Sequence, residues 1–225
     1  MDKIVAVLGA TGQTGKYLVQ KLLEQNIQVR ILSRNLTKAI KIFGNRVEII
    51  EGDLLEVKDL KSLVTGVSHL FAAHGADSDY ERGYELVDYG GMDKALDSIP
   101  VNQHTHIIYM SSISVEPHFS AVEPLSQFYW KKLTERMLQE SDIPYTIVRP
   151  GWLNNNQGGN LQIVAEQGDR GSGKISREDV AEVMVQAMNV DSAMGKTFEV
   201  YNVAVIPVYD WNNFFSELVL DETNN

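Results

Sequence analysis

The chain contains no cysteine. Disulfide staples, thiolate catalysis and cysteine-based zinc or iron–sulfur sites are therefore excluded, and the absence accords with a reducing compartment. Long apolar runs are missing too: no stretch approaches the roughly 18 residues that read as a bilayer-spanning helix. The first eight residues, a charged pair and a short apolar run, lack the length and cleavage site of a signal peptide. The expected location is the cytoplasm, with no membrane partner. Positive charge is scarce, with 20 Lys and Arg against 30 Asp and Glu and a formal net charge of −10. A surface of that sign repels phosphate polymers, which argues against nucleic-acid binding. Any pocket for a phosphorylated ligand must be built locally, by a few basic side chains.

What is present suits one large α/β domain with at most a small C-terminal elaboration. A chain of 225 residues buries roughly 70–75% of its unfolded surface without staples. Residues 3–8 (KIVAVL) form a continuous apolar run ending at Gly9, the pattern of a strand buried on both faces in a parallel sheet. A helical pattern follows over residues 14–24, carried by Leu18, Leu22 and Leu23. The alternation repeats, predicting strands over 28–33, 47–50, 67–72, 106–110 and 145–149, and helices over 37–43, 57–63, 80–97 and 124–139. Alternating β and α units force parallel strands with right-handed crossovers. The expected fold is a doubly wound parallel sheet of Rossmann type with a small C-terminal lobe. After Pro150 the chain turns polar (Asn154–Gly159, NNNQGG), then offers a short apolar segment over 161–164 and a second glycine-rich turn, GDRGSG. Ser176 reads as an N-cap with acidic residues behind it. A strand over 196–201 and a closing helix over 210–218 follow, with a frayed tail expected from Asp221.

The sharpest motif is Gly9-Ala10-Thr11-Gly12-Gln13-Thr14-Gly15, between the first strand and the first helix. Glycine there frees the backbone for positive φ and lets a diphosphate approach the main chain. The helix behind it offers unpaired N–H groups and the positive end of its dipole. Gly15 permits close packing of helix on strand. The spacing is G-x-x-G-x-x-G, and its place at the opening of a βαβ pattern marks it as a dinucleotide cradle rather than a plain tight turn.

The end of the second strand selects the dinucleotide. A carboxylate there would bind the ribose 2′-hydroxyl of NAD, but the strand ends Ile31-Leu32-Ser33-Arg34. Arg34 can grip a 2′-phosphate with two hydrogen bonds, Ser33 can donate one, and Lys38 adds charge a turn later. NADP(H) is expected over NAD(H). Asp53 and Leu54 follow the third strand, Asp53 placed for the adenine amino group and Leu54 for the ring face. The competing reading has Asp53 capping the helix over 56–64. Ala72 and Ala73 leave room for a ribose that His74 could touch. His104 and His106 lie two apart with no third ligand nearby, so no metal site is expected. The expected partner is a small-molecule substrate or none, in a monomer or homodimer.

With GATGQTG, LSRN, EGDL, VDYGG, YMSS, YTIVRPG and ISREDVA in this order, the chain resembles the short-chain dehydrogenase/reductase superfamily, in its atypical, NmrA-like NAD(P)-binding branch. The resemblance covers most of the chain and implies a Rossmann core with a small substrate lobe. It also implies a Ser, a Tyr and a Lys at the reacting centre, where the Tyr hydroxyl exchanges a proton with substrate and the Lys tunes it and holds the nicotinamide ribose. Ser112 matches the serine, with Ser111 beside it among the cofactor contacts, and Lys131 matches the lysine. The tyrosine does not match: Gln127 stands four before Lys131, Phe128 four before Lys132, and Tyr129 only two before Lys131. Three readings stay open. The protein reduces a conjugated acceptor such as a quinone or flavin without a tyrosine acid, or it binds NADP(H) as a sensor without turnover, or an irregular helix delivers Tyr129 after all. The resemblance further implies that Pro150 and its neighbours pass the nicotinamide carboxamide. Trp152 then lines the substrate pocket, with a buried structural tryptophan as the alternative. The Asn/Gly-rich stretch behind it is a candidate lid, while Arg177 and Asp179 read as structural.

Overall fold

The computed structural model describes residues 3–76, 82–115 and 126–222. Strand β1 (Ile4–Leu8) runs into helix α1 (Gly15–Glu24), and the alternation continues through β2 (Gln28–Ser33), α2 (Leu36–Phe43), β3 (Glu48–Glu51), α3 (Val57–Val64) and β4 (His69–Ala72). A π-helical turn (Tyr84–Tyr89) feeds α4 (Gly90–Ser98), followed by β5 (His106–Met110), α5 (Gln127–Gln139) and β6 (Tyr145–Pro150). The expected helix starts at Tyr80 and Pro124 lie outside the described residues. Beyond Pro150 come β7 (Trp152–Asn154), β8 (Gln162–Glu166), β9 (Lys174–Ser176), α6 (Arg177–Asn189), β10 (Lys196–Val203) and α7 (Trp211–Ser216).

The main sheet has the order β3-β2-β1-β4-β5-β6-β10-β8. Its neighbours pair parallel except β8, which lies antiparallel to β10 at one edge. The apolar runs explain the layering. Val5 and Val7 face one side with Leu18, Val19 and Leu22 of α1 and the apolar residues of α6. Ala6 and Leu8 face the other, with Leu60 and Leu63 of α3, Met92 of α4 and Leu138 of α5. Helices cover both faces, as period-two strands with no polar side require. Strand order reverses between β1 and β4, which opens a crevice at the carboxyl ends of these strands.

The C-terminal elaboration departs from the sequence reading in three places. Two three-residue strands, β7 and β9, pair parallel as a separate small sheet, too short for a periodicity argument to find. The Asn/Gly-rich stretch is pinned: the Gly158 amide donates to Glu178 and the Gly159 amide to Asp179, while Arg177 reaches Asn155. Arg177 and Asp179 thus tie loops together rather than acting locally. Asp221 is anchored, not frayed. Its carboxylate accepts from the Thr197 amide at 3.0 Å, the Thr197 hydroxyl at 2.6 Å, the Tyr145 hydroxyl at 3.0 Å and Gln139 at 3.2 Å. Ser176 caps α6 by accepting from the Asp179 amide, as its place before two acids foretold. Among the described residues no helix is long and apolar enough to cross a membrane.

Candidate functional site

The glycine turn sits where the strand order reverses. Gly9 has a φ of +75°, and a Cβ there would come within 2.5 Å of the Ala73 carbonyl oxygen and 2.6 Å of the His74 amide nitrogen. A Cβ on Gly15 would strike the Gly9 carbonyl. Both positions therefore exclude any other residue, and the Gly12 amide closes the turn on Gly9 at 2.9 Å. Helix α1 begins without a side-chain cap from Thr14 and without an acid in its first turn. The Lys16 amide donates to the Gly12 carbonyl at 3.2 Å, and the positive end of the helix dipole faces the turn with no acid against it. Thr11 is half-buried, and Gly12 and Gln13 are exposed beside it. The cradle fits a diphosphate.

At the end of β2, Arg34 and Lys38 are both exposed. The Ser33 hydroxyl is engaged within the turn, donating to the Asn35 carbonyl at 3.1 Å and accepting its amide at 3.3 Å. Asn35 caps α2 through the Lys38 amide at 2.8 Å. Across the strand pair the register partner of Ser33 is Glu51, an exposed carboxylate on β3 that the reading of β2 alone missed. Asp53 does not cap α3. Its carboxylate accepts the Leu55 amide at 3.0 Å and so shapes the turn before the helix, while its own amide donates to Asp59. Leu54 packs on α4, where a Cβ on Gly91 would meet its methyl at 2.5 Å.

A buried polar cluster occupies the adjoining strand ends. Ala72 is in register with Tyr109, and His74 and Ser111 lie just past the ends of these two neighbouring strands. His74, Tyr109 and Ser111 are 6%, 1% and 3% exposed. Among the described residues, no well-aligned hydrogen-bond partner meets either ring nitrogen of His74, the Tyr109 hydroxyl or the Ser111 hydroxyl. Thr134 stands near the Tyr109 hydroxyl; its own hydroxyl donates toward the Trp130 and Asp88 carbonyls, which leaves its oxygen able to accept from Tyr109. Buried polar atoms with spare hydrogen-bonding capacity at the end of a crevice fit a site built for a polar ligand. Burial drives the His74 pKa down to about 4; Asp88 and the nearby Val87 and Asp88 backbone pull it back in part, and Lys131 adds to the fall. The imidazole is neutral at pH 7. Burial, then Asp88 and Glu135, push the Tyr109 hydroxyl up.

Lys131 is drawn into this cluster from α5. Its ammonium lies 3.5 Å from the Asp88 carboxylate, donates to the Met110 carbonyl at 3.4 Å and sits over the Tyr109 ring at 5.6 Å. Asp88, 2% exposed, comes from the π-helical turn and also accepts the Ala76 amide at 3.0 Å. Sequence reasoning missed Asp88 as a site residue; only the VDYGG motif marked it. π-helical turns recur at functional sites because they re-aim one side chain. Ser112 is half-buried just beyond β5. Helix α5 is regular across residues 127–139. Gln127, at the tyrosine position, is exposed, and Tyr129 meets Trp130 edge-on at 5.2 Å. No helical irregularity delivers Tyr129 to Lys131.

On the far side, Pro150 has no N–H and its carbonyl accepts the Ile113 amide at 3.1 Å. The Gly151 and Trp152 amides are taken by Val200 and Gly173. Trp152 is 62% exposed, which removes the buried structural reading. His104 and His106 lie at the opposite end of the sheet, lining a cavity of about 290 Å³ with His69. There His106 bonds the Thr146 hydroxyl at 2.9 Å.

Residues 9–191 match the profile of a family described as NAD(P)H-binding. Among curated proteins the chain is 29% identical to Protein TIC 62 of pea, over 92% of this chain but only 44% of that protein. It is 28% identical to sanguinarine reductase of Eschscholzia californica, over 87% of each. Among solved structures, a short-chain dehydrogenase/reductase from Veillonella parvula in complex with NADP superposes with a TM-score of 0.72. It shares 20% identity over 89% of this chain and 95% of that one, a likeness of fold.

Proposed function

The chain belongs to the NAD(P)H-binding family, and on that premise we propose that it is an NADPH-dependent reductase of a small conjugated or aromatic acceptor. The observation that carries the reading is the buried Lys131 ammonium held by Asp88 and the Met110 carbonyl at the end of β5, with Gln127 rather than a tyrosine four residues before it. When bound, the dinucleotide would supply a hydride; this chain's residues would hold and orient it. The turn from Gly9 through Thr11, Gly12, Gln13 and Thr14 to Gly15 takes the diphosphate. Arg34 and Lys38, with no carboxylate at the end of their own strand, favour a 2′-phosphate. Asp53 and Leu54 flank the adenine end, and Ala72 and Ala73 leave space for the ribose. Lys131 holds the nicotinamide ribose, and Ser112 orients the acceptor. Exposed Trp152 provides a flat apolar wall for a planar ring.

A ketone needs a proton donor on its oxygen as hydride arrives, and Gln127 cannot serve. A conjugated acceptor delocalises the incoming charge and takes its proton from solvent, which selects that substrate class. The sanguinarine reductase likeness supports it. NADPH oxidation followed against quinones, flavins and aldehydes tests the proposal. Turnover with the first two groups and little with aldehydes is expected, and no turnover above blank overturns it. The same absence of tyrosine favours one second reading, a non-catalytic NADP(H)-responsive module. That reading requires discrimination between NADP⁺ and NADPH in calorimetry without any hydride transfer.

A further inference from the structure

The two elements that bring Ser112 and Lys131 to the site are joined by a second route, remote from the cofactor cradle. Ser114, two residues past Ser112, holds a left-handed backbone at φ +64°. Its amide donates to the Asp169 carboxylate at 2.6 Å, and Asp169 is itself left-handed at φ +52°. Left-handed backbone is disfavoured for residues other than glycine and persists where the surroundings over-determine it, often near functional sites. Asp169 lies in the GDRGSG turn, which is packed hard on β10. A Cβ on Gly171 would lie 2.8 Å from that of Glu199, and one on Gly173 2.8 Å from the Tyr201 ring.

Beneath the turn is a fully buried ionic chain. Glu199, 0% exposed, accepts the Arg170 and Gly171 amides at 3.3 and 3.4 Å and the Arg149 guanidinium at 3.4 Å. Arg149 then grips Glu135 with two bonds, at 2.9 and 2.7 Å. Glu135 is four residues after Lys131 on α5, so it stands one turn along the same helical face. Lys132 lies 3.4 Å from Glu135. An apolar core of equal volume is often as stable as a buried ion chain of this kind, or more so. What the chain provides is geometry: charge-assisted, two-pronged bonds hold one arrangement.

We infer that Asp169, backed by Glu199 and Arg149, is a positioning residue for this site, clamping the Ser112 loop to the helix that carries Lys131. The inference rests on the proposed reductase reading for its kinetic test, and on geometry alone for its structural one. Asp169 is half-buried, so its replacement leaves the core intact. Asp169→Ala removes the acceptor for the Ser114 amide, and Asp169→Asn keeps an acceptor oxygen and tolerates left-handed backbone.

The experiment measures kcat and KM, NADPH affinity by calorimetry, and hydrogen exchange of the segment around residues 110–115. For Asp169→Ala the expected result is a fall in kcat of about tenfold or more, the scale on which misplacement acts. NADPH affinity stays near wild type, the thermal midpoint falls only by the modest cost of alanine in a left-handed backbone, exchange at 110–115 rises, and Asp169→Asn restores most of kcat and of the protection. Unchanged kcat in Asp169→Ala overturns the inference, as does a loss shared equally by kcat, cofactor affinity and thermal midpoint. Should the wild-type chain turn over no acceptor, the reductase reading fails by itself. The clamp is then judged on exchange: faster exchange at 110–115 in Asp169→Ala, reversed in Asp169→Asn, supports it, and unchanged exchange refutes it.

Discussion

Arg34 and Gly9 show how much a single side chain, or the lack of one, decides. Arg34 is an exposed cation just past the end of β2, with exposed Lys38 following in α2, so its value lies in a ligand rather than in the fold. Arg34→Ala is expected to weaken NADP(H) by about tenfold or more while leaving NAD(H) nearly untouched, because a charge-assisted phosphate contact is lost. Calorimetric titration with both cofactors decides it, and equal losses would remove Arg34 from the site. Gly9 behaves in the opposite way. With φ at +75° and the Ala73 carbonyl 2.5 Å from where a Cβ would go, Gly9→Ala must displace β4 or the turn. The expected result is about 1–3 kcal/mol of lost stability together with loss of NADPH binding, read by denaturant titration and calorimetry. Both residues were legible in sequence. The buried Asp88–Lys131 pair was legible only by half, since nothing in a linear pattern says that a π-helical turn aims Asp88 inward.

Among the elements, β10 and the segment after α7 carry more than their sequence announced. Asp221 lies where the chain reads as a polar tail, yet its carboxylate joins β10, β6 and α5 through Thr197, Tyr145 and Gln139. Asp221→Ala leaves several half-buried donors without an acceptor. It is expected to destabilise the protein by about 1–3 kcal/mol, seen as a lower urea midpoint at unchanged slope. A chain ending at residue 220 should lose as much. Wild-type stability in either variant would show those bonds to be idle. The same short-range blindness hid β7 and β9, since three residues cannot display a period of two. Long, periodic elements such as α1 and β1 were readable because burial repeats along them.

For the whole molecule, the histidines set a pH dependence. His74 and His106 are 6% and 7% exposed, and burial lowers their pKa values to about 4 and about 3. The unfolded chain titrates near 6.5 at these groups, so the folded state binds fewer protons and favours the neutral rings. Stability from this source is complete above about pH 6.5. Each ring then removes up to about 1.4 kcal/mol per pH unit as the pH falls toward its folded value. Thermal midpoints measured from pH 8 to 4 should fall through that window, and His106→Gln should flatten the slope. A flat profile in the wild type would mean that the rings are already charged or solvated in the fold. His106 bonds Thr146 far from the cofactor cradle, so its variant should leave NADPH binding alone.

The sequence by itself determined the alternating architecture and the glycine turn between the first strand and the first helix. These follow from short-range rules, namely apolar periodicity and glycine where no Cβ fits, whereas Ser112 and Lys131 were singled out by the family resemblance alone. Only the tertiary structure decided what surrounds them. His74 and Ser111 are buried past the ends of adjacent strands, Asp88 reaches Lys131 through a turn, and Glu135, Arg149 and Glu199 meet from three elements. The physical reason is that a buried charge or an orphaned imidazole is defined by neighbours distant in the chain, whose desolvation and bonding no local pattern encodes.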